Sequence, residues 1–299
     1  MASLTKRTAL ARTALAVLGA LTACALAPAA AAAAGGPIES LQRSAKSLEP
    51  APGDAFDDRG QLAADGCMVE QHEYRFPKCV YGDKRSRKTV VLFGDSQAMH
   101  WFPALVRVAR ERGWRLIGRV RAGCPPAAIR FSGRCDRWRA ETLRRIERHD
   151  EPDLVVTGSG VVYGAIVGGR RLGSKASAKH LRKGYARTMR RLRRTGAQVA
   201  VMKTLSWAPN RIVSCVRDHP RKLRRCAFDR KQPTNRAFEA RAAKRVKGAR
   251  LIDARDAVCL KRICPAVTDG LIVYRDPKHL SATYARTLSN WLDARLPRL

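Results

Sequence analysis

From Lys88 onward, short apolar runs alternate with stretches of helical period, and this alternation leaves few folds open. The runs are Thr89 to Phe93 (TVVLF), Trp114 to Val120 (WRLIGRV), Leu154 to Thr157 (LVVT) and Gln198 to Thr204 (QVAVMKT), with a short fifth at Arg250 to Ile252. Helical patterns fall at about Ala98 to Arg112, Asp136 to His149, Ala176 to Thr195, Thr234 to Lys247 and Ser281 to Leu296. Valine-rich runs without polar alternation suit parallel strands buried on both faces. Strands and helices taking turns then predict an open, doubly wound α/β sandwich, a mostly parallel sheet in a flavodoxin-like three-layer arrangement. Ligand sites in such sheets lie beyond the carboxyl ends of the strands, so the loops after Phe93, Val120 and Thr157 are expected to carry the chemistry.

The N-terminus is organised differently. Lys6, Arg7 and Arg12 precede an apolar run ending in small residues, the build of a secretory signal over residues 1 to 34. Two processing routes fit it. Ala32-Ala33-Ala34 before Gly35 suits cleavage after small residues, whereas Leu21-Thr22-Ala23-Cys24 resembles a lipobox that would lipidate Cys24. A membrane anchor fits less well, because the run is short and broken by Pro28. Residues 35 to 66 are rich in Pro, Gly, Ala and acids, which reads as a linker or an irregular wrap. The expected catalytic domain is then residues 67 to 299.

Eight cysteines follow the leader as near neighbours: Cys67 and Cys79, Cys124 and Cys135, Cys215 and Cys226, Cys259 and Cys264. An even count in an exported chain reads as disulfides, and sequential pairing is the expectation among the many connectivities open. Zinc is the competing reading, but the usual Cys-x-x-Cys knuckles are absent, so no metal is expected. The net charge of +34 favours anionic envelope polymers or acidic glycans. An alanine- and arginine-rich composition also accounts for charge on solvated helix faces such as Arg190, Arg191, Arg193 and Arg194. Nucleic acid is a poor partner, since the cations lack interleaved aromatics.

Two stretches carry chemistry. In VVLFGDSQAMHWFPAL, from Val90 to Leu105, an apolar strand ends, Gly94 permits a tight turn, and Ser96 sits where a helix begins. That places a hydroxyl near helix N-terminal amides able to stabilise an oxyanion. Asp95 or Ser96 could equally serve as a helix cap. In LIVYRDPKHLSATYARTLSNWL, from Leu271 to Leu292, Asp276 and His279 stand three apart before a helix. The carboxylate can hold one imidazole nitrogen while the other faces a serine. A cap and a solvated histidine form the bland alternative; the combination with Ser96 carries the weight. Asp95 reads as a brace of the turn. His100 reads as a satisfied helix histidine rather than a pocket residue, and Trp101 and Trp138 as core rather than sugar-stacking residues.

GDSQ after a strand near the domain start, and Asp-x-x-His followed by Leu-Ser near its end, resemble the SGNH (GDSL-like) hydrolase superfamily. The likeness is closest to the SGNH domains fused to acyltransferase-3 membrane proteins, which take part in O-acylation of cell-surface polysaccharides. It covers about residues 67 to 299 and includes CVYGD before the first strand, AGCPP after the second, and Cys135 with Trp138. It implies the SGNH hydrolase fold, Ser96 as nucleophile, His279 as general base and then acid, and Asp276 as orienter, with no cofactor. The membrane domain is missing here, which implies a free-standing or lipid-anchored version.

The superfamily's oxyanion hole uses the nucleophile's amide, a glycine after the second strand and an asparagine after the third. The Ser96 amide and Gly123 fill the first two places. Gly158-Ser159-Gly160 follows LVVT where the asparagine would stand, so Gly158 and Ser159 are the substitutes expected. Gln97 stands where related domains often carry histidine, which leaves the triad intact. The resemblance thus implies an exported, extracytoplasmic esterase or O-acyltransferase acting on acyl, chiefly acetyl, esters of envelope glycans. A non-catalytic glycan- or envelope-binding module of the same fold is the alternative, motivated by the missing asparagine and the charge.

Overall fold

A computed structural model describes residues 38–230 and 238–299. The expected leader with Cys24, and the start of the helix expected from Thr234, lie outside the described residues. Seven strands make the main sheet: β1 (Met68–Val69), β2 (Val80–Gly82), β3 (Thr89–Gly94), β4 (Arg115–Arg121), β5 (Leu154–Gly158), β6 (Gln198–Met202) and β7 (Ala249–Ile252). Their order is β1-β4-β3-β5-β6-β7. All these neighbours are parallel, while β2 lies antiparallel on β4. The five expected runs are five of these strands. β1 and β2, two and three residues long, are additions that share the outer edge of β4.

The sheet is a middle layer because its strands are apolar on both faces. All six residues of β3 are buried. Val90 and Leu92 point into one core with α2 (Phe102–Glu111), α6 (Ala282–Thr287) and α7 (Ser289–Asp293). Val91 and Phe93 point into a second core with α3 (Gly133–Arg145), α4 (Ser174–Arg193) and α5 (Phe238–Ala243). This two-sided burial explains why the strands read as continuous apolar runs.

The helix expected from Ala98 to Arg112 is two helices, α1 (Ser96–Met99) and α2, because Pro103 in the first turn of α2 lacks an N–H and starts the helix afresh. The last expected helix is likewise divided, into α6 and α7. Residues 38 to 66 lie against the first core through Ile38, Ala55 and Leu62, the last two fully buried. Four disulfides join Cys67 to Cys79, Cys124 to Cys135, Cys215 to Cys226 and Cys259 to Cys264, the sequential set. Among the described residues, no helix is long and apolar enough to cross a membrane.

β3 has β4 on one side and β5 on the other, so the chain steps one way from β3 to β4 and then crosses back over β3 to β5, reversing the strand order there. A crevice opens at such a switch point. Gly94 ends the strand there, and a Cβ at Gly94 would meet the Gly158 carbonyl oxygen at 2.2 Å. Glycine is the residue that lets β3 turn this close to β5.

Candidate active site

The turn after β3 separates two jobs that sequence left open. Asp95 caps α1, its Oδ1 accepting from the Gln97 amide at 2.8 Å. Ser96 is therefore free of capping, and its Oγ lies 2.8 Å from His279 Nε2. His279 Nδ1 lies 2.7 and 2.9 Å from the two oxygens of Asp276. Residues 183 positions apart in the chain thus form one continuous hydrogen-bonded relay.

The loop carrying Asp276 and His279 is held locally. Asp276 Oδ1 accepts from the Lys278 and His279 amides, and the Arg275 amide donates to the His279 carbonyl. Ser281 caps α6 immediately afterwards. Gln97 Nε2 donates to the Lys278 carbonyl at 2.9 Å, tying this loop to the turn that bears Ser96. Burial opposes charge on Asp276, but the His279 and Lys278 hydrogen bonds and the nearby Arg275 outweigh it and hold the carboxyl down at about 2. The group is ionised at neutral pH.

A cavity of about 450 Å³ opens over Ser96 and His279. Gly123, with φ +59°, follows β4 and lines it. Gly160 lines it too, but its amide donates to Asp95 Oδ2 at 2.7 Å. Gly158 and Ser159, expected as oxyanion donors, are not in the cavity wall. Gly158 is the last residue of β5, inside the sheet, and Ser159 turns its hydroxyl onto the Gly160 carbonyl at 3.0 Å. Ser159 is also 1% exposed, with its carbonyl accepting from Thr204.

His100 is buried but does not line the cavity. Its ring centroid lies 6.0 Å from that of His279, and its Nδ1 has no partner among the described residues, so it is not the satisfied histidine expected. Burial, with His279 and Arg275 nearby, pushes its pKa well below the usual value and keeps it neutral. Trp101 stacks on Trp291 and Trp138 on Phe93, both as core residues.

Several wall residues carried no sequence signal. Trp207 lines the cavity with Lys278 Nζ 4.9 Å above its ring. Arg59 and Arg275 bring positive charge. Gln71 lies against Gly123: a Cβ there would meet Gln71 Nε2 at 2.7 Å. Trp207, Arg59 and Gln71 come from separate loops, and no spacing links them to Ser96.

A parallel sheet whose switch point carries a serine turn, with an Asp-x-x-His loop closing on it from the C-terminal end, defines an SGNH, or GDSL-like, hydrolase fold. The chain belongs to the family described as the SGNH domain fused to AT3 domains, whose model matches residues 66–293. Among solved structures, it is similar to the periplasmic domain of a lipopolysaccharide acetyltransferase from Salmonella ser. Paratyphi A. Identity there is 17%, covering 70% of this chain and 83% of that chain, with a TM-score of 0.52. A GDSL-like lipase from Bacteroides thetaiotaomicron is 14% identical over 80% of this chain and 97% of that chain, with a TM-score of 0.38. No curated protein matches the sequence.

Proposed function

We propose that this chain is an exported serine esterase or O-acyltransferase acting on acyl, chiefly acetyl, esters of cell-envelope carbohydrate. The observation that carries the reading is the relay from Ser96 Oγ through His279 to Asp276, open to a cavity. Ser96 attacks the ester carbonyl carbon while its proton passes to His279 Nε2, and Asp276 stabilises the imidazolium. The amides of Ser96 and Gly123 meet the oxyanion. Collapse expels the alcohol, which takes the proton from His279 and leaves an acyl group on Ser96. Water or a carbohydrate hydroxyl, deprotonated by His279, then takes the acyl group.

Family membership and the acetyltransferase named among similar folds support acyl chemistry on a glycan. Four disulfides favour an oxidising compartment. We read residues 1 to 34 as the leader, with lipidation at Cys24 as one of its two routes. Residues 35 to 66 then precede the catalytic domain, and residues 38 to 66 pack onto it. No cofactor enters this mechanism.

The same fold as a non-catalytic glycan-binding module is the second reading. It is favoured by the loop Gly158-Ser159-Gly160, whose one cavity-lining amide is already taken by Asp95. A fluorophosphonate probe separates the two. Labelling of Ser96, with aryl acetate hydrolysis falling about 10⁴-fold or more in Ser96→Ala, is the result expected for the enzyme. Absence of labelling in folded, disulfide-intact protein excludes it.

A further inference from the structure

Some arginines near the surface have a carboxylate beside them. Arg107 pairs with Glu111, Arg112 with Asp293, Arg144 and Arg145 with Glu141, and Arg191 with Glu147. The outward side of α4 gathers cations without such partners on one element. The helix contains no acid from Ser174 to Arg193, and among the described residues Lys179, Arg182, Lys183, Arg187 and Arg190 make no ion pair.

These side chains surround three adjoining hollows. The first is lined by Arg130, His180, Lys183 and Arg187 beside Ile166. Lys183 and Arg187 also border the second, with Arg182, Arg190 and Arg245. Arg182 continues into the third, with Lys179. No carboxylate lines any of them. Two guanidiniums are steadied from behind, Arg187 by the Ala128 carbonyl and Arg190 by the Arg245 carbonyl, so their charge is displayed in fixed places. A small anion fills one hollow; a polyanion can occupy all three, since the second shares Lys183 and Arg187 with the first and Arg182 with the third.

A flat anionic membrane suits this face poorly. Among the described residues the large exposed apolar side chains are Phe56, Tyr74, Val162 and Val167, and of these only Val167, at the rim of the first hollow, lies on this face. Nucleic acid suits it no better, since the aromatic of α4, Tyr185, is fully buried and offers no stacking surface. The first hollow and the catalytic cavity are linked through one aromatic contact and one chain neighbour. Tyr163 in the cavity wall packs edge-on against Phe131 at 5.2 Å, and Phe131 adjoins Arg130 of the first hollow.

We propose that the outward side of α4, with Arg130 and Arg245, is a groove for an anionic polysaccharide and leads its chain toward Ser96. The delivery to Ser96 rests on the esterase reading; the groove itself does not. Spread-out positive hollows hold a repeating anion through many weak charge contacts, so affinity falls with salt and with each cation removed.

The test is binding of fluorescently labelled polygalacturonate to the disulfide-intact protein at about 0.15 M ionic strength. The triple variant Arg182→Gln, Lys183→Gln, Arg190→Gln is compared with Lys84→Gln, Arg85→Gln, Arg87→Gln, which removes equal charge from an exposed loop. Expected is a loss of about tenfold or more in the first, with little change in the second, the pattern of localised contacts to a polyanion. Equal losses in both, or none in the first, overturn the groove. Tighter binding to phosphatidylglycerol vesicles than to polygalacturonate, lost in the first variant, also overturns it in favour of a membrane surface. Aryl acetate hydrolysis is expected unchanged in both variants, which also reports that they are folded. Because Ser96→Ala is expected to bind the polymer normally, failure of the groove and failure of the esterase reading give different results.

Discussion

Tyr163 donates its phenol to Asp95 across 2.5 Å, and this bond joins the loop after β5 to the turn that carries the candidate nucleophile. The Gly160 amide reaches the same carboxylate oxygen, and the Gln97 amide reaches the other. Burial pushes Asp95 upward despite these three donors, and burial with the adjacent Asp95 pushes Tyr163 well up. The loop that would supply an oxyanion donor is thus spent on bracing the serine turn.

Tyr163→Phe is expected to lower stability by about 1–3 kcal/mol, the cost of depriving a buried carboxylate of a donor. Ester turnover should fall with it, because the turn bearing Ser96 loosens. Urea denaturation read alongside kcat is the measurement. Unchanged stability would show that the bond is incidental.

A second expectation concerns the third oxyanion donor, for which Gln71 is the candidate because it lines the cavity with its Nε2 beside Gly123. Gln71→Ala should lower kcat by about tenfold to a hundredfold while leaving KM nearly unchanged, the signature of an interaction made in the transition state. Gln71→Glu keeps the length but not the donor and should be equally impaired. Normal turnover in both would remove Gln71 from the site.

Acid sensitivity follows from Asp276, whose carboxyl lies at about 2 rather than its ordinary 3.8. A depressed folded-state value adds stability above the unfolded one, and that stability is lost as pH falls from 3.8 toward 2. The loss is about 2 kcal/mol. Urea midpoints measured down this range should drop in the wild type and stay flatter in Asp276→Asn.

Glu239 has the opposite sign. Burial pushes it up to about 7 against hydrogen bonds from its own backbone and from Thr204. A raised carboxyl value means stability is greatest below 4.5 and declines as pH rises through 7. Glu239→Gln should therefore raise the melting temperature at about pH 8 and leave it nearly unchanged at about pH 5. Equal shifts at both values would exclude ionisation as the cause.

The strands and the relay were legible for different reasons. Burial on both faces makes β3 and β5 read as unbroken apolar runs, and Asp276 and His279 keep their partnership within one short loop. The long pairing of Ser96 with His279 needed the two motifs together. β1 and β2 are too short to show a period, and Trp207, Gln71 and Arg59 reach the cavity from loops without one. Gly158 and Ser159 lie outside the cavity wall, one held in β5 and the other turned onto Gly160, and no local pattern reveals either placement.

The four disulfides each span between 5 and 12 positions, and each cysteine's partner is the next in line after it or just before it. A chain entering an oxidising compartment N-terminus first therefore presents its thiols in native couples, and oxidation in order of arrival yields the finished set without reshuffling. No disulfide ties the turn of Ser96 to the loop of His279, so packing and hydrogen bonds alone hold the two halves of the relay together.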